Sequence, residues 1–573
     1  RRNIGLARTT GLPYVISPLY PFSRIWIATE KIWTPIVSLL PESITNPWLP
    51  LLDSNSPWRL RHLPFASLKS DTYLVVAPFK ITLFTCDPDV IAQVTTRRVE
   101  FPKPTELYEL LQIYGSNIVT VEGSAWRRHR RIVAPPFSEK NNALVWSESL
   151  FQAREMVRTW VDGGRSESVA IPSLSKDVMR FSLHVISRAG FGVRCLWPGG
   201  EAGGDEGGFD SSAVPEGHAM SYQDSLETLL KRIIVVLVVP MWLQRYLPFK
   251  TTSEPRIAYE EWGKYMRTIY AEKTASIQSS TSDDAGGLDL MGSMIRASTT
   301  TPPSDDKSGS PPAGLTPDEI IGNSFIMFLA GHETTANTLH YALIHLALRP
   351  DVQSALHAAI AALPPNPTYD TYPVFAASWP GAVIAETLRI YPPVIGIPKS
   401  APQAATLTID GRDVLIPAGA TLSLNAVAAH RNPAAWPHGP ARSEGEGGEV
   451  HPASPETDLE EWKPERWFIE GREGELFSPP KGAYIAFSEG QRSCIGRRFA
   501  LVELVAALVA LLRDYEVELE TGVAEGAGEE EKAAAWEKAR LEAERALRED
   551  VGPVFTLQFR GGTGVALRVV KRG

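Results

Sequence analysis

Three cysteines in 573 residues are too few for a disulfide framework, and no Cys/His cluster has zinc-ligand spacing. A reducing compartment is the expected setting. His332-Glu333 opens like a zinc-protease motif, but Ala336 stands where the second histidine would have to be. Long apolar runs are also missing. The best early candidate, 24–40, carries Glu30 and Lys31 in its middle and falls short of the ~20 apolar residues that span a bilayer. There is no internal repeat and no excess of positive charge. The net charge of −9 argues against nucleic acid as a partner. The chain opens Arg1-Arg2 without a methionine, as expected of a truncated or processed N-terminus; whether an anchor stood upstream of Arg1 is left open by the sequence.

With 43% hydrophobic and 21% charged residues, the chain is globular and able to bury a large core. Length alone suggests three or four domains. However, four stretches hold too little apolar content for cores of their own: 199–217, 279–314 (with a short helix at 288–297), 443–461, and 522–552 with its charged helix at 529–550. They read as surface insertions in one domain spanning 61–573, preceded by a membrane-proximal region, 1–60. The run 233–243 has two readings, a core segment or an interfacial one, since Trp242 and Tyr246 among basic residues suit a headgroup boundary.

Thr316-Pro317-Asp318-Glu319 is a capping box, so a helix is expected from there to about Arg349, stopped by Pro350. Its middle is apolar all round, which predicts burial. Inside it lies Ala330-Gly331-His332-Glu333-Thr334-Thr335. Gly331 removes a side chain where a diatomic ligand would need room. Glu333 and Thr334 are an acid and an alcohol able to relay protons, and a locally opened helix is expected there.

Near the C-terminus, Phe487-Ser-Glu-Gly490-Gln-Arg492-Ser-Cys494-Ile-Gly496 puts one cysteine in a glycine-punctuated loop before an apolar helix-like run. The glycines allow close approach to a flat ligand, and Arg492 suits an anionic group on it. A lone thiolate beside a carboxylate-bearing planar cofactor points to haem with a cysteine axial ligand. Glu386 and Arg389 share a helix face among apolar neighbours, and such a buried pair needs a further partner, for which Arg466 is available. Trp126 and Arg130 share another helix face. Their run reads either as a solvated basic surface or as two donors to a carboxylate.

The cysteine loop resembles the haem-binding signature of the cytochrome P450 family at every fixed position. The other motifs follow the family's order from about residue 60 onward. The resemblance implies a mainly α fold with a smaller β region and haem b between the long helix and the cysteine loop. It makes Cys494 the iron ligand, with Phe487, Gly331, Trp126, Arg130 and Arg492 as haem-contacting positions. Lys399 stands where relatives often carry arginine for a propionate, and its ammonium lacks the planar fork. Glu333 and Thr334 become the O2-activating pair, and Glu386, Arg389 and Arg466 a folding network. Phe328, Leu329, Val394, Ile395 and Ile397 would line a pocket for a small apolar organic substrate.

The implied activity is monooxygenation, with NADPH reaching the haem through a separate cytochrome P450 reductase and cytochrome b5 as a further donor. The implied location is the cytosolic face of the endoplasmic reticulum membrane. A haem-thiolate isomerase or dehydratase, or a non-catalytic haem sensor, are the alternatives; an intact Glu333-Thr334 pair speaks against the first. Arg127, Arg128, Arg131, Arg497 and Arg498 are expected to form a basic patch where the reductase docks.

Overall fold

Short β-branched runs build the strands. Thr72–Val76 and Ile81–Thr85 pair as an antiparallel hairpin buried throughout. Tyr14–Ile16 adds in parallel on one side; Ala420–Asn425 adds in parallel on the other and is followed by antiparallel Gly396–Ala401. A second hairpin, Ala405–Ile409 with Arg412–Ile416, turns at Asp410-Gly411, both at positive φ, the geometry two-residue hairpin loops require. Ala405, Leu407 and Ile409 face inward on alternate positions.

The structure, a computed structural model, describes residues 1–161, 167–171, 173–198, 214–246, 249–279, 289–300, 314–440, 456–523, 526–561 and 564–572. Most of the expected insertions at 199–217, 279–314 and 443–461 lies outside the described residues. The chain forms two compact units. One comprises Arg1–Pro104, Ala376–Cys494 and Ala527–Val565, and holds the five-stranded sheet. The other comprises Thr105–Phe375, Ile495–Gly526 and Ala566–Gly573 and is mainly helical, with a small sheet of Ser168–Ala170, Leu567–Lys571 and Tyr515–Leu519.

The helical unit is built around Pro317–Leu348. Its capping box forms as the sequence predicts: Thr316 Oγ1 accepts from the Glu319 N–H at 3.2 Å, and the Thr316 N–H donates to Glu319 Oε2 at 3.0 Å. At 1.5 Å per residue the helix is roughly 48 Å long. Leu174–Phe191 packs along it, and Arg497–Leu512 packs along Glu139–Trp160. The run 233–243 becomes two short helices, Ile233–Val238 and Met241–Gln244, separated at Pro240, which cannot donate to a continuing ladder. Ile233 and Val236 are buried while Val238 and Trp242 are exposed. No helix among the described residues is long and apolar enough to cross a membrane.

The segment 443–461 does not read as surface at its end. Asp458 and Leu459, in the turn Asp458–Glu460, are buried, because the polar network described below draws them inward. The charged helix expected at 529–550 is present as Glu529–Glu549, with Ala543 and Leu547 buried.

Arg497–Leu512 carries one acidic residue in its buried face. Glu503 is fully enclosed, and its Oε1 accepts from the Ser182 hydroxyl at 2.6 Å. Burial pushes its carboxyl up to about 8, against the lowering effect of Ser182. Between the ordinary carboxyl range and that value the unfolded chain has lost a proton that the folded chain keeps. Stability therefore falls as pH rises through this window, by ~1.4 kcal/mol per pH unit for one group. Glu503→Gln keeps a partner for Ser182 and removes the slope. The variant is expected to be more stable by about 2–4 kcal/mol at pH 7.5, with a smaller gain at pH 5.5, read from urea midpoints. An equal gain at both pH values would show that Glu503 is ionised in the folded protein.

Candidate active site

The cysteine loop is held by a polar network centred on a carboxylate with no solvent access. Trp379–Ile390 forms a helix through its periodic apolar positions, and this buries Glu386 and Arg389 on one face. Arg389 donates from Nε to Glu386 Oε2 and from Nη2 to Oε1, both at 2.8 Å, a bidentate fork. Arg466, on the turn Pro464–Trp467, donates from Nε to Oε1 at 3.1 Å. The Lys463 backbone N–H reaches Oε1 at 2.8 Å and the Trp467 indole N–H reaches Oε2 at 2.9 Å. Burial pushes the Glu386 carboxyl up, but Arg389, Arg466 and the Lys463 N–H outweigh it and hold the group below its ordinary range.

The network continues to the cysteine. Arg389 Nη1 donates to the carbonyls of His430 and Leu459, at 3.0 and 2.9 Å. His430 donates from Nδ1 to the Arg389 carbonyl at 3.0 Å, and its Nε2 accepts from the Ile485 N–H at 2.9 Å. Burial lowers its pKa to about 3, so it is neutral and has one tautomer. From Ile485 the loop closes on itself: the Ser488 N–H donates to the Ile485 carbonyl and the Cys494 N–H to the Phe487 carbonyl, both at 2.9 Å. Gly490 is at φ 69, and a Cβ there would run into the Thr95 carbonyl oxygen. Cys494 is exposed, whereas Cys86 and Cys195 are buried. Arg492 is half-buried beside it in sequence.

The three expected network residues are thus brought together. His430, Asp458 and Trp467 belong to the same network and were not singled out as such. Asp458 accepts from Arg466 Nη1 at 3.2 Å and from Lys463 Nζ at 2.9 Å. Trp467 lay in the sequence signal, next to Arg466. His430 carried none, because a lone histidine in an alanine-rich stretch gives no spacing to read.

On the same unit, Gly396–Ala401 carries Lys399, buried and paired in register with Leu422. Val394 is exposed, and Ile395 and Ile397 are half-exposed. In the helical unit, Trp126 and Arg130 lie on Gly123–Val133, Trp126 buried and Arg130 half-buried. Phe328 and Leu329 are fully buried; the Phe328 ring stacks on Phe191 with centroids 4.2 Å apart and meets Trp262 edge-on at 5.8 Å.

Two expectations change. The helix is continuous through Gly331–Thr334: Thr334 Oγ1 donates to the Ala330 carbonyl at 2.8 Å, satisfying the hydroxyl locally without opening the ladder. Also, Arg128 is not part of an outward basic face. It pairs with Glu319 and donates to the Gly314 carbonyl, and His129 beside it is fully buried. Arg127, Arg131, Arg497 and Arg498 are exposed, with Arg498 lying over the Tyr372 ring at 4.2 Å.

The long helix is buried at every position from Ile320 to Ile344 except three: Ala330, Gly331 and Thr334. These share one face, one turn deep, at the expected oxygen-binding motif. Glu333 is buried beside them, and His332 donates from Nδ1 to the Phe328 carbonyl at 2.8 Å, its pKa lowered by burial to about 4. In the strand-bearing unit, an accessible thiol in a glycine loop and the buried ammonium of Lys399 suit a thiolate-ligated, carboxylate-bearing haem; the helical unit, taken by itself, offers the buried Trp126 and the accessible stretch at Ala330, Gly331 and Thr334.

A family model described as Cytochrome P450 matches residues 68–441 and 457–542. A cytochrome P450 monooxygenase of Postia placenta is 32% identical over 473 residues, covering 81% of each chain. One of Arthrobotrys oligospora is 29% identical, covering 90% of this chain and 87% of its own. The crystal structure of the cytochrome P450DA heme domain superposes with a TM-score of 0.63 at 19% identity, covering 98% of each chain. The fold is that of the cytochrome P450 heme domain. The chain belongs to the cytochrome P450 family, and it is an oxidoreductase that incorporates oxygen, of the monooxygenase kind.

Removing the charge of Glu386 leaves two buried guanidinium groups without their shared anion, a loss of about 3–5 kcal/mol. Glu386→Gln should therefore lower the urea midpoint sharply and release haem on gel filtration. A variant as stable and haem-loaded as the parent would refute the central place of this carboxylate.

Proposed function

We propose that the chain uses haem b, with Cys494 as the axial iron ligand, to insert one oxygen atom from O2 into a small apolar organic substrate. Electrons come from NADPH through cytochrome P450 reductase, with cytochrome b5 as a further donor. The observation that carries this reading is the three-residue gap at Ala330, Gly331 and Thr334 in an otherwise buried helix. A structural helix has no reason to leave a gap there, whereas a ligand the size of O2 needs one.

Bound haem supplies the redox chemistry of O2, and a thiolate ligand favours O–O cleavage. This chain's residues do the rest. Cys494 presents its sulfur from a loop whose backbone is tied through Ile485 and His430 to the Glu386 network. By the family resemblance Arg492, Lys399, Trp126 and Arg130 are assigned to the propionates; a buried ammonium at Lys399 suits an anionic partner. Phe487 and Gly331 take the remaining haem contacts. The Thr334 hydroxyl proton is committed to Ala330, so its oxygen serves as an acceptor, and Glu333 next to it exchanges the protons. Val394, Ile395 and Ile397 supply the apolar lining. Phe328 and Leu329 act from behind, as packed residues that set the position of the gap.

The membrane-surface reading rests on Arg24–Val37, where Ile25, Ile32, Trp33 and Ile36 are exposed, with Leu39 just beyond. An apolar helix face of this kind suits an interface, consistent with the cytosolic face of the endoplasmic reticulum. The reductase reading rests on Arg127, Arg131 and Arg497 in the helical unit, where Phe137 and Phe499 join the two segments with ring centroids 6.3 Å apart.

Thr334→Ala should keep haem and the long-wavelength carbonyl band of thiolate ligation, but form several-fold less product per NADPH oxidised, with the difference appearing as hydrogen peroxide. Cys494→Ala should lose the band. An unchanged product-to-NADPH ratio in Thr334→Ala moves proton delivery elsewhere.

Arg131→Glu combined with Arg497→Glu should slow first-electron transfer about tenfold at low salt and flatten its salt dependence, since exposed charges are screened over ~10 Å at 0.1 M. Stopped-flow reduction at two ionic strengths measures this. Equal rates for variant and parent at low salt would place the docking surface elsewhere.

A further inference from the structure

No zinc spacing exists along the chain, yet the fold assembles three metal-ligating side chains in the strand-bearing unit. Asp71 immediately precedes Thr72–Val76 and Cys86 immediately follows Ile81–Thr85. The hairpin register pairs Thr72 with Thr85, so Asp71 and Cys86 are the next cross-strand pair, joined by the Cys86 N–H donating to the Asp71 carbonyl at 2.9 Å. His62 arrives from the residue before Leu63–Leu68, its ring packed against Phe65 with centroids 5.7 Å apart. One ligand atom from each of His62, Asp71 and Cys86 lies within 4.8 Å of the others.

Two further observations show that the cluster is incomplete as it stands. His62 is 9% exposed, and its Nε2 is buried without a hydrogen-bond partner; the nearest Asp71 oxygen is 3.5 Å away, long for a hydrogen bond. A buried polar atom left so is costly, and its aim at a carboxylate and a thiol asks for a reason. Among the described residues, no lysine or arginine pairs with Asp71: Asn432 Nδ2 donates to its Oδ2 at 2.7 Å, and His62 and Cys86 are the titratable groups that face it. A catalytic Cys–His pair is excluded by access, because Cys86 is fully buried.

We propose that His62 Nε2, the Asp71 carboxylate and Cys86 Sγ bind one structural zinc ion. Thiolate, imidazole and carboxylate together are zinc's own ligand types, whereas magnesium and calcium take oxygen. On binding, Cys86 forms a bond to zinc and releases its proton to solvent. The dication then balances one thiolate and one carboxylate, so the buried site is neutral. Water completes the tetrahedron on the side of Asp71, which is half-exposed. Asn432 holds the carboxylate from outside, and it lies two residues after His430, the link to the cysteine loop. The ion therefore clamps the open end of the hairpin to the same segment that supports that loop.

The test uses the full chain loaded with haem, purified without a histidine tag and dialysed against a nanomolar zinc buffer. The expected result is one zinc per chain, with X-ray absorption at the zinc edge showing one sulfur at about 2.3 Å and nitrogen or oxygen ligands at about 2.0–2.2 Å. Cys86→Ser and His62→Gln should each lower zinc affinity by more than about a hundredfold, and Asn432→Ala by about 10–100-fold, with the carbonyl spectrum retained. Zinc absent from the parent, a zinc shell without sulfur, or unchanged zinc content in Cys86→Ser would each overturn the proposal. The absorption measurement needs no variant, so misfolding of a variant does not block the test.

Discussion

One carboxylate, Glu386, organises the unit that carries the cysteine. It accepts five hydrogen bonds, two from Arg389 and one each from Arg466, the Lys463 backbone and the Trp467 indole. Its four donor residues come from its own helix and from Lys463 with the turn Pro464–Trp467, some eighty residues downstream. A buried charge is tolerated only when its lone pairs are filled, so satisfying Glu386 forces these segments into one arrangement. Arg389 then carries the constraint outward to the carbonyls of His430, Leu459 and Glu461. The cysteine loop is the last member of this series rather than an independent feature.

The helical unit depends on a smaller device of the same kind. Glu319 caps the long helix and at the same time receives Arg128 and the ring nitrogen of His129 from Gly123–Val133. His129 is also held by Asn323, one turn further along, whose Nδ2 lies 3.0 Å from Nδ1. The helix bearing Trp126 and Arg130 is therefore aligned against the start of the helix bearing Gly331 and Thr334. Arginines that read as a uniform basic run divide into two sets. Arg128 orients the helix, and Arg127 and Arg131 remain on the surface.

What the sequence made legible follows from range. The capping box, the helix ending before Pro350, the mainly α fold with its smaller β part and the glycine-bracketed cysteine are all written within a few residues, where spacing translates into geometry. The Glu386–Arg389 pair was readable for the same reason, and Arg466 as the further partner that a buried charge pair needs. His430, Asp458 and the cluster of His62, Asp71 and Cys86 were not, since each depends on strand register or on a turn that brings distant residues together. Asp458 was hidden further by composition: it ends an acidic, glycine-containing stretch that resembles surface until Arg466 draws it inside. The opened helix expected at Thr334 failed for a local reason. A threonine hydroxyl can satisfy itself on the carbonyl four residues back, which leaves the ladder whole.

The network around Glu386 is better understood as a positioning device than as a source of stability. A well-packed apolar replacement of a buried ion pair is often as stable or more so. What apolar side chains lack is direction. Arg389 contacts both oxygens of Glu386 and three backbone carbonyls, and only a planar guanidinium with five N–H donors can meet all of them at once. A lysine at that position has three donors on one atom and cannot bridge the same set. The carbonyls belong to two distant segments, His430 after Ala426–Ala429 and Leu459 and Glu461 at the turn Asp458–Glu460, so one side chain fixes their relative placement, and through His430 the backbone at Ile485. A loop that presents one exposed sulfur needs that sulfur fixed more than it needs a very stable domain, and a polar cluster that fills both oxygens of Glu386 supplies that.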